Sequence, residues 1–130
     1  MKGSDVQTIL IVDDEPIIRR LLAFVLDRAG FTVLTAGCGG QAISISQSHR
    51  GEICLLITDI TLPGMNGWML AREVIQADPD IRVLFISGGC VEPDSDGFGR
   101  AEFLAKPFSL SALMAEVRNL LSEENPCKVS

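Results

Sequence analysis

The stretch that decides the fold is Leu55–Gly67, LLITDITLPGMNG, in which an apolar run reaches one carboxylate at Asp59 and then breaks into a turn. Such a run is typical of a strand buried on both faces of a parallel sheet. A charged side chain at the end of a buried strand is costly unless a partner uses it. Pro63 and Gly64 favour a turn, and Asn66 is a candidate N-cap for the next helix. Asp59 is therefore the first candidate for a functional residue.

The alternation of apolar strand and amphipathic helix continues on both sides of this stretch. Five apolar runs are predicted to be strands: 8–14, 31–36, 53–59, 81–87 and 101–106. Helical spacing of apolar residues fills four segments: 16–30, 41–50, 66–74 and 110–121. Strands that alternate with helices predict right-handed crossovers and a parallel sheet covered on both faces. The expected fold class is α/β, a doubly wound five-stranded sheet.

Length and composition narrow the class of protein. The 130 residues suit one domain, expected to span 1–123, with a tail at 124–130 and no output domain. There are 17 acidic against 11 basic residues, a net charge of −6, and Arg19-Arg20 is interpreted as a solvated helix face. Direct nucleic-acid binding is therefore disfavoured. No signal region or membrane-spanning run is present in the sequence, which predicts a cytoplasmic protein without membrane insertion.

The cysteines and the single histidine are expected to have structural rather than catalytic roles. The four cysteines form no C-x-x-C pair, so zinc ligation and a disulfide framework are not expected. Cys54, inside an apolar run, is interpreted as a small core residue. His49, the only histidine, is interpreted as a surface residue at a helix end.

Five polar residues fall where the predicted strands end. Asp13 and Asp14 end the first strand, Asp59 ends the third, Ser87 the fourth and Lys106 the fifth. Ligands of parallel sheets bind beyond these carboxyl ends, so the five side chains are expected at one edge. Singly, the acid pair could begin a turn, Ser87 could be a strand-end hydrogen-bonding residue and Lys106 a surface charge. Together, three converging carboxylates indicate a hard divalent cation such as Mg²⁺.

A carboxylate beside a divalent cation can act as a nucleophile on phosphorus. Phosphoryl transfer needs positioning and neutralisation of charge on the equatorial oxygens. The cation, the Ser87 hydroxyl and the Lys106 ammonium could each take one oxygen. Gly88 and Gly89 would leave space above the acceptor Asp59.

The chain resembles a response regulator receiver domain. The resemblance is carried by ILIVDDEP (9–16), LLITDITLPGMNG (55–67), VLFIS (83–87) and FLAKPF (103–108), and covers nearly the whole chain. It implies a flavodoxin-like strand order 2-1-3-4-5, with Asp59 as the phosphoacceptor. It also implies that Asp13, Asp14, Asp59 and the backbone carbonyl of Thr61 hold Mg²⁺ or Mn²⁺.

The resemblance implies further roles near the fifth strand. Ser87 would be the switch hydroxyl, Lys106 the lysine of the active site, and the Lys106–Pro107 peptide bond would be cis. Phe103 fits the aromatic residue that turns inward on activation, although it could equally be a core aromatic. Such a module takes a phosphoryl group from a sensor histidine kinase or a histidine phosphotransfer protein. It then switches the binding of a downstream partner and is not expected to be an enzyme.

Two other functions are weighed against this one. A Mg²⁺-dependent phosphohydrolase of the haloacid-dehalogenase type expects a second Asp two residues after the nucleophile, where this chain has Thr61. A receiver-like binding module without a phosphodonor is disfavoured by the complete set of acids, Ser87 and Lys106. One departure from receivers is expected: the Gly- and Pro-rich segment 88–101 predicts that the usual fourth helix is short or absent.

Overall fold

The computed structural model describes residues 6–88 and 101–122. Five strands are present: β1 (Thr8–Val12), β2 (Thr32–Ala36), β3 (Ile53–Asp59), β4 (Arg82–Ser87) and β5 (Ala101–Ala105). Four helices accompany them in the described ranges: α1 (Pro16–Arg28), α2 (Gly39–Ser48), α3 (Gly67–Ala77) and α4 (Leu110–Ser122). Most of the segment 88–101, for which a short or absent helix is expected, lies outside the described residues, because 89–100 are not described. The expected tail at 124–130 also lies outside them.

The strands form one parallel sheet in the order β2-β1-β3-β4-β5. This confirms the doubly wound sheet and its 2-1-3-4-5 order. Because β3 is the central strand, its apolar run is enclosed on both faces: Leu55, Leu56 and Ile57 are fully buried. The prediction that this apolar run is a strand buried on both faces is therefore confirmed.

Each face of the sheet has its own hydrophobic core. On one face Leu10 and Val12 of β1 pack with residues of α2 and α3, among them Ala42 and Leu70. On the other face alternate residues of β1 pack with side chains of α1 and α4, among them Leu22, Leu26, Leu113 and Val117. Successive strand side chains point to opposite faces, which is why one strand supplies both cores.

Helix ends follow the expected signals, with small shifts. The Asn66 Oδ1 accepts a hydrogen bond of 2.9 Å from the Met69 N–H, so Asn66 caps α3. Gly30, just past α1, has a φ of +104°, the left-handed conformation that favours glycine at this position. α2 begins at Gly39 rather than at residue 41. His49 is partly exposed at the C-terminal end of α2 and pairs with Glu52 at 2.9 Å, which agrees with the interpretation as a surface residue at a helix end.

The core assignment of Cys54 is wrong. Cys54 is partly exposed, because the pairing of β1 with β3 shifts at this point. Thr8 pairs with Ile53 and Ile9 with Leu55, which leaves Cys54 as an extra residue between two paired positions. Such a bulge takes a side chain out of the regular in-and-out alternation of the strand.

Among the described residues, no helix combines the length and the apolar character needed to cross a membrane.

Candidate functional site

The carboxyl ends of β1 and β3 bring the acidic residues together. These strands are neighbours, and Val12 pairs with Thr58, so the residues that follow, Asp13 and Asp59, lie side by side. The carboxylates of Asp13, Asp14 and Asp59 each offer an oxygen within 4.8 Å of the others. The juxtaposition expected from the sequence is therefore present in the structure.

Two of these carboxylates are buried, which makes their proximity costly. Asp13 is 1% exposed and Asp59 6% exposed, whereas Asp14 is exposed to solvent. Like charges repel more strongly as the surroundings become less polar. The cluster needs positive charge close to it.

The Asp13 carboxylate has one satisfied oxygen and one unsatisfied oxygen. Its Oδ1 accepts a hydrogen bond of 2.9 Å from the Glu15 N–H. Its Oδ2 is buried and accepts no hydrogen bond from any described residue. Burial raises the pKa of Asp13 above its ordinary value, and the Asp59 charge acts in the same direction; the Glu15 hydrogen bond and the Lys106 charge oppose this rise only in part.

Lys106, directly after β5, brings a positive charge to the acidic residues. Its Nζ lies 2.9 Å from Asp59 Oδ2, 3.9 Å from Asp13 Oδ2 and 3.6 Å from Glu15 Oε1. Burial, the largest single influence, lowers the pKa of Lys106. The hydrogen bond to Asp59 and the charges of Asp59, Asp13 and Glu15 outweigh that effect, and the pKa is raised overall. The ammonium therefore stays charged throughout the neutral range.

The backbone of Lys106 is also hydrogen-bonded. Its N–H donates a hydrogen bond of 2.7 Å to the Ser87 carbonyl, which ties the end of β5 to the end of β4. The Lys106–Pro107 peptide bond is cis, as the resemblance implied. Ser87 itself is partly exposed and pairs with Ala105 in the register of β4 and β5.

The loop after β3 fixes the Asp59 carboxylate from the other side. The Thr61 N–H donates a hydrogen bond of 3.0 Å to Asp59 Oδ1. The Ile60 N–H donates to the Ile86 carbonyl at 2.9 Å, and the Gly67 N–H donates to the Ile60 carbonyl at 2.7 Å. The start of α3 is therefore pressed against the peptide of Asp59, and Thr61 lies directly beside the carboxylate.

Phe103 packs inward on two other aromatic residues. Its ring stacks on that of Phe85 at a centroid distance of 5.2 Å and an interplanar angle of 17°. The Trp68 ring lies 5.6 Å from Phe103 and 4.5 Å from Phe85. This packing fits the core interpretation of Phe103, and its role in a switch stays a prediction.

Two residues near the acids had no functional interpretation from the sequence. The interpretation of Arg19-Arg20 as a solvated helix face is wrong for Arg19, whose Nη1 donates a hydrogen bond of 2.6 Å to the Asp13 carbonyl; Arg20 is exposed, as expected. Glu15, also exposed, stands beside Lys106. Spacing along α1 carries no signal for the Arg19 contact, because its acceptor is a backbone carbonyl outside the helix.

The donor set fits a hard divalent cation. It consists of three carboxylates close together, and one buried oxygen, Asp13 Oδ2, accepts no hydrogen bond from the described residues. Magnesium binds through one or two carboxylates together with waters and phosphate oxygens. The exposed Asp14 leaves one side of the cluster open to such ligands.

Comparisons with known proteins agree with this geometry. Residues 9–118 match the model of the family described as response regulator receiver domain. The chain is similar to the response regulator receiver protein CpdR of Brucella abortus, with 37% identity over 116 residues that cover 87% of this chain and 95% of CpdR. It is 34% identical over 124 residues to the sensor kinase CckA of the same organism, covering 91% of this chain.

The matched fraction of each relative's own length differs among these proteins. The chain spans 13% of the length of CckA and about half of the length of several other curated relatives. Among solved structures, it is similar to the response regulator TrrA of Thermotoga maritima, crystallised in complex with Mg²⁺ and BeF. The identity is 31% and the TM-score 0.78, over 88% of this chain and 99% of the other.

Proposed function

The chain belongs to the response regulator receiver domain family, whose members accept phosphoryl groups, and on that premise we propose that Asp59 takes the group from a phosphohistidine. The donor would be a sensor histidine kinase or a histidine phosphotransfer protein in a two-component phosphorelay. One observation carries the proposal: the buried Asp59 carboxylate has the Lys106 ammonium at 2.9 Å and the Asp13 and Asp14 carboxylates within 4.8 Å.

The proposed step is a transfer between two nucleophiles. The P–N bond of the phosphohistidine breaks and a P–O bond forms to an oxygen of Asp59. The departing imidazole nitrogen keeps the electron pair and takes up a proton. Lys106 holds the carboxylate through Oδ2 and the Thr61 N–H holds it through Oδ1, so the nucleophile is oriented before the donor arrives.

The same residues would hold a cation. Mg²⁺, or Mn²⁺ in its place, neutralises charge on the phosphoryl oxygens when it is bound by Asp13, Asp14, Asp59 and the Thr61 carbonyl. Support for this assignment comes from the unsatisfied Asp13 Oδ2 and from the complex of the similar TrrA with Mg²⁺ and BeF. The Ser87 hydroxyl at the end of β4 would take a second phosphoryl oxygen and Lys106 a third.

The phosphoryl group is proposed to serve as a signal and not as a step in the turnover of an external metabolite. A phosphohydrolase of the aspartyl type needs an acid or base two residues after its nucleophile. Thr61 occupies that position, and it donates a hydrogen bond to the Asp59 carboxylate through its backbone N–H. A threonine hydroxyl is a poor proton donor or acceptor near neutral pH.

The proposed output is a change in affinity for a downstream protein. Ser87 and Phe103 would couple the site to the surface, because β4 and β5 join both residues to Lys106. Action without an attached output domain is also part of the proposal. It is supported by CpdR, of whose length the match covers 95%.

The direct test is phosphorylation in vitro. Protein incubated with Mg²⁺ and phosphoramidate, which carries a P–N bond, is expected to gain one phosphoryl group by intact-mass spectrometry. Asp59→Asn is expected to gain none, whereas Asp27→Asn, which changes an exposed acid on α1, is expected to react like the unaltered protein. An adduct that survives in Asp59→Asn would refute the assignment.

A further inference from the structure

The turn between β1 and α1 carries Asp13, yet α1 has no side-chain cap. The N-cap residue, Glu15, makes no capping hydrogen bond with its side chain. Two side-chain contacts hold the turn instead: Asp13 Oδ1 accepts from the Glu15 N–H, and Arg19 Nη1 donates to the Asp13 carbonyl. Arg19, one turn into the helix, thus contacts the peptide that carries the Asp13 carboxylate.

The remaining contacts of Asp13 explain why that of Arg19 matters. Its N–H donates to the Ala36 carbonyl of β2 at 3.2 Å, so the peptide on one side is fixed by the sheet. On the other side, the Asp13 carbonyl accepts the hydrogen bond of 2.6 Å from Arg19 Nη1. A hydrogen bond from a charged guanidinium is stronger than one between neutral groups.

Gly37, in the loop after β2, lies beside the Arg19 guanidinium. A Cβ atom on Gly37 would lie 3.2 Å from Arg19 Nη1. That separation is shorter than ordinary van der Waals contact, so a side chain at residue 37 would shift the end of the guanidinium by a few tenths of an ångström. β1, α1 and the loop after β2 thus meet at a single group.

We propose that Arg19 is a positioning residue for the acidic cluster: its guanidinium fixes the Asp13 peptide and so keeps the Asp13 carboxylate beside that of Asp59 for the cation they share. This role rests on the proposed function, which assigns a cation to the cluster. Outer-shell partners of metal ligands commonly affect metal affinity by 10–100-fold.

Charge and position predict opposite effects, which makes the role testable. Arg19 is itself a cation, so its removal on electrostatic grounds alone would strengthen the binding of Mg²⁺. If Arg19 positions Asp13, its removal weakens Mg²⁺ binding. Arg20 is the matched control, because it is the next residue of the same helix, has the same charge and is exposed.

The experiment is calorimetric titration of the folded proteins with Mg²⁺. Arg19→Ala is expected to weaken binding by about tenfold, and Arg20→Ala to leave it within about twofold of the unaltered protein. Thermal unfolding without metal is measured in parallel. If Arg19→Ala lowers Tm while its Mg²⁺ affinity stays unchanged or rises, Arg19 only anchors the helix and the proposal is overturned.

A second pair of variants keeps every charge in place. Gly37→Ala, which shifts the guanidinium only slightly, is expected to weaken Mg²⁺ binding less than Arg19→Ala does, whereas Gly40→Ala, where a Cβ meets nothing within 4 Å, is expected to leave it unchanged. In the Arg19→Ala background, Gly37→Ala should have no further effect, because the two act through one contact. Independent, additive losses would overturn the proposal.

The outcomes for Arg19 and for the proposed function can be told apart. If the unaltered protein binds Mg²⁺ but gains no phosphoryl group on Asp59, the proposed function fails and the effect of Arg19 on Mg²⁺ affinity still decides its role. If the unaltered protein binds no Mg²⁺, both proposals are overturned.

Discussion

Lys106 contacts Asp59 across an intervening strand: β4 lies between β5, which Lys106 follows, and β3, which Asp59 ends, yet their charged atoms are 2.9 Å apart. Neighbouring strands lie about 4.8 Å apart, so the lysine side chain has to extend over the end of β4. The hydrogen bond from its N–H to the Ser87 carbonyl anchors the base of this extended side chain.

Lys106→Met is expected to strengthen Mg²⁺ binding and to slow phosphorylation. The ammonium competes with a cation for the Asp59 and Asp13 oxygens, so its loss removes a competitor. Under the proposed function it also removes a group that would neutralise charge in the transition state, and loss of such a group typically costs about 10²-fold in rate. Calorimetric Mg²⁺ titration and a phosphoramidate time course measure the two effects. Lys106→Arg is the charged control, and weaker Mg²⁺ binding in Lys106→Met would contradict the prediction.

Replacement of both Asp13 and Asp14 by Asn is expected to weaken Mg²⁺ binding and phosphorylation while it stabilises the metal-free protein. The gain in stability arises because repulsion with Asp59 is removed. A gain of about 1 kcal/mol would raise Tm by about 4 °C in a domain of this size. Calorimetry and thermal unfolding in EDTA provide the two readings, with Asp27→Asn as the control. An unchanged Mg²⁺ affinity in the double variant would place the cation elsewhere.

The stabilising effect of Asp13→Asn is expected to depend on pH. Because the pKa of Asp13 is raised in the folded state, its protonated form contributes stability below the ordinary Asp pKa of 3.8. That contribution is lost as pH rises through the raised value. The free energy of unfolding of the variant therefore rises relative to that of the unaltered protein as pH increases above about 4. Urea unfolding in EDTA measures the difference, and a constant difference across this range would show that Asp13 is not its source.

Gly67→Ala is expected to destabilise the fold and to impair phosphorylation together. A Cβ atom on Gly67 would lie 2.5 Å from the Asp59 carbonyl oxygen and 2.9 Å from the Ile60 Cα. Both are backbone atoms, so α3 or the end of β3 must shift, at a cost of about 1–3 kcal/mol. Gly40→Ala is the control, since its Cβ enters open space. Normal stability and a normal phosphorylation rate in Gly67→Ala would mean that the Asp59 loop is not held by this contact.

The sequence predicts the sheet and the edge where the acids meet, because both follow from short-range patterns. The apolar run before Asp59 indicates a strand buried on both faces, and alternation with helices fixes parallel pairing. Parallel strands then place Asp13, Asp59 and Lys106 at one edge without further information. What the pattern does not contain is the local geometry. Cys54 was assigned to the core because a run of apolar residues does not show where a pairing shift occurs.

The Arg19 contact illustrates a second limit of the sequence. Its donor lies on a helix, its acceptor is a backbone carbonyl, and Gly37 of another loop lies beside the donor. Three separate segments meet at the contact, and neither Arg19 nor Gly37 is distinctive alone. Arg20, with the same charge one residue later, is exposed.

The long reach of Lys106 has a consequence for biosynthesis. The chain is made from its N-terminus, so Asp13, Asp14 and Asp59 are all synthesised before Lys106. A nascent chain that ends before β5 therefore has all three acids but not the ammonium that contacts Asp59 in the folded protein. Completion of the charge balance is thereby tied to the arrival of the last strand at the edge of the sheet.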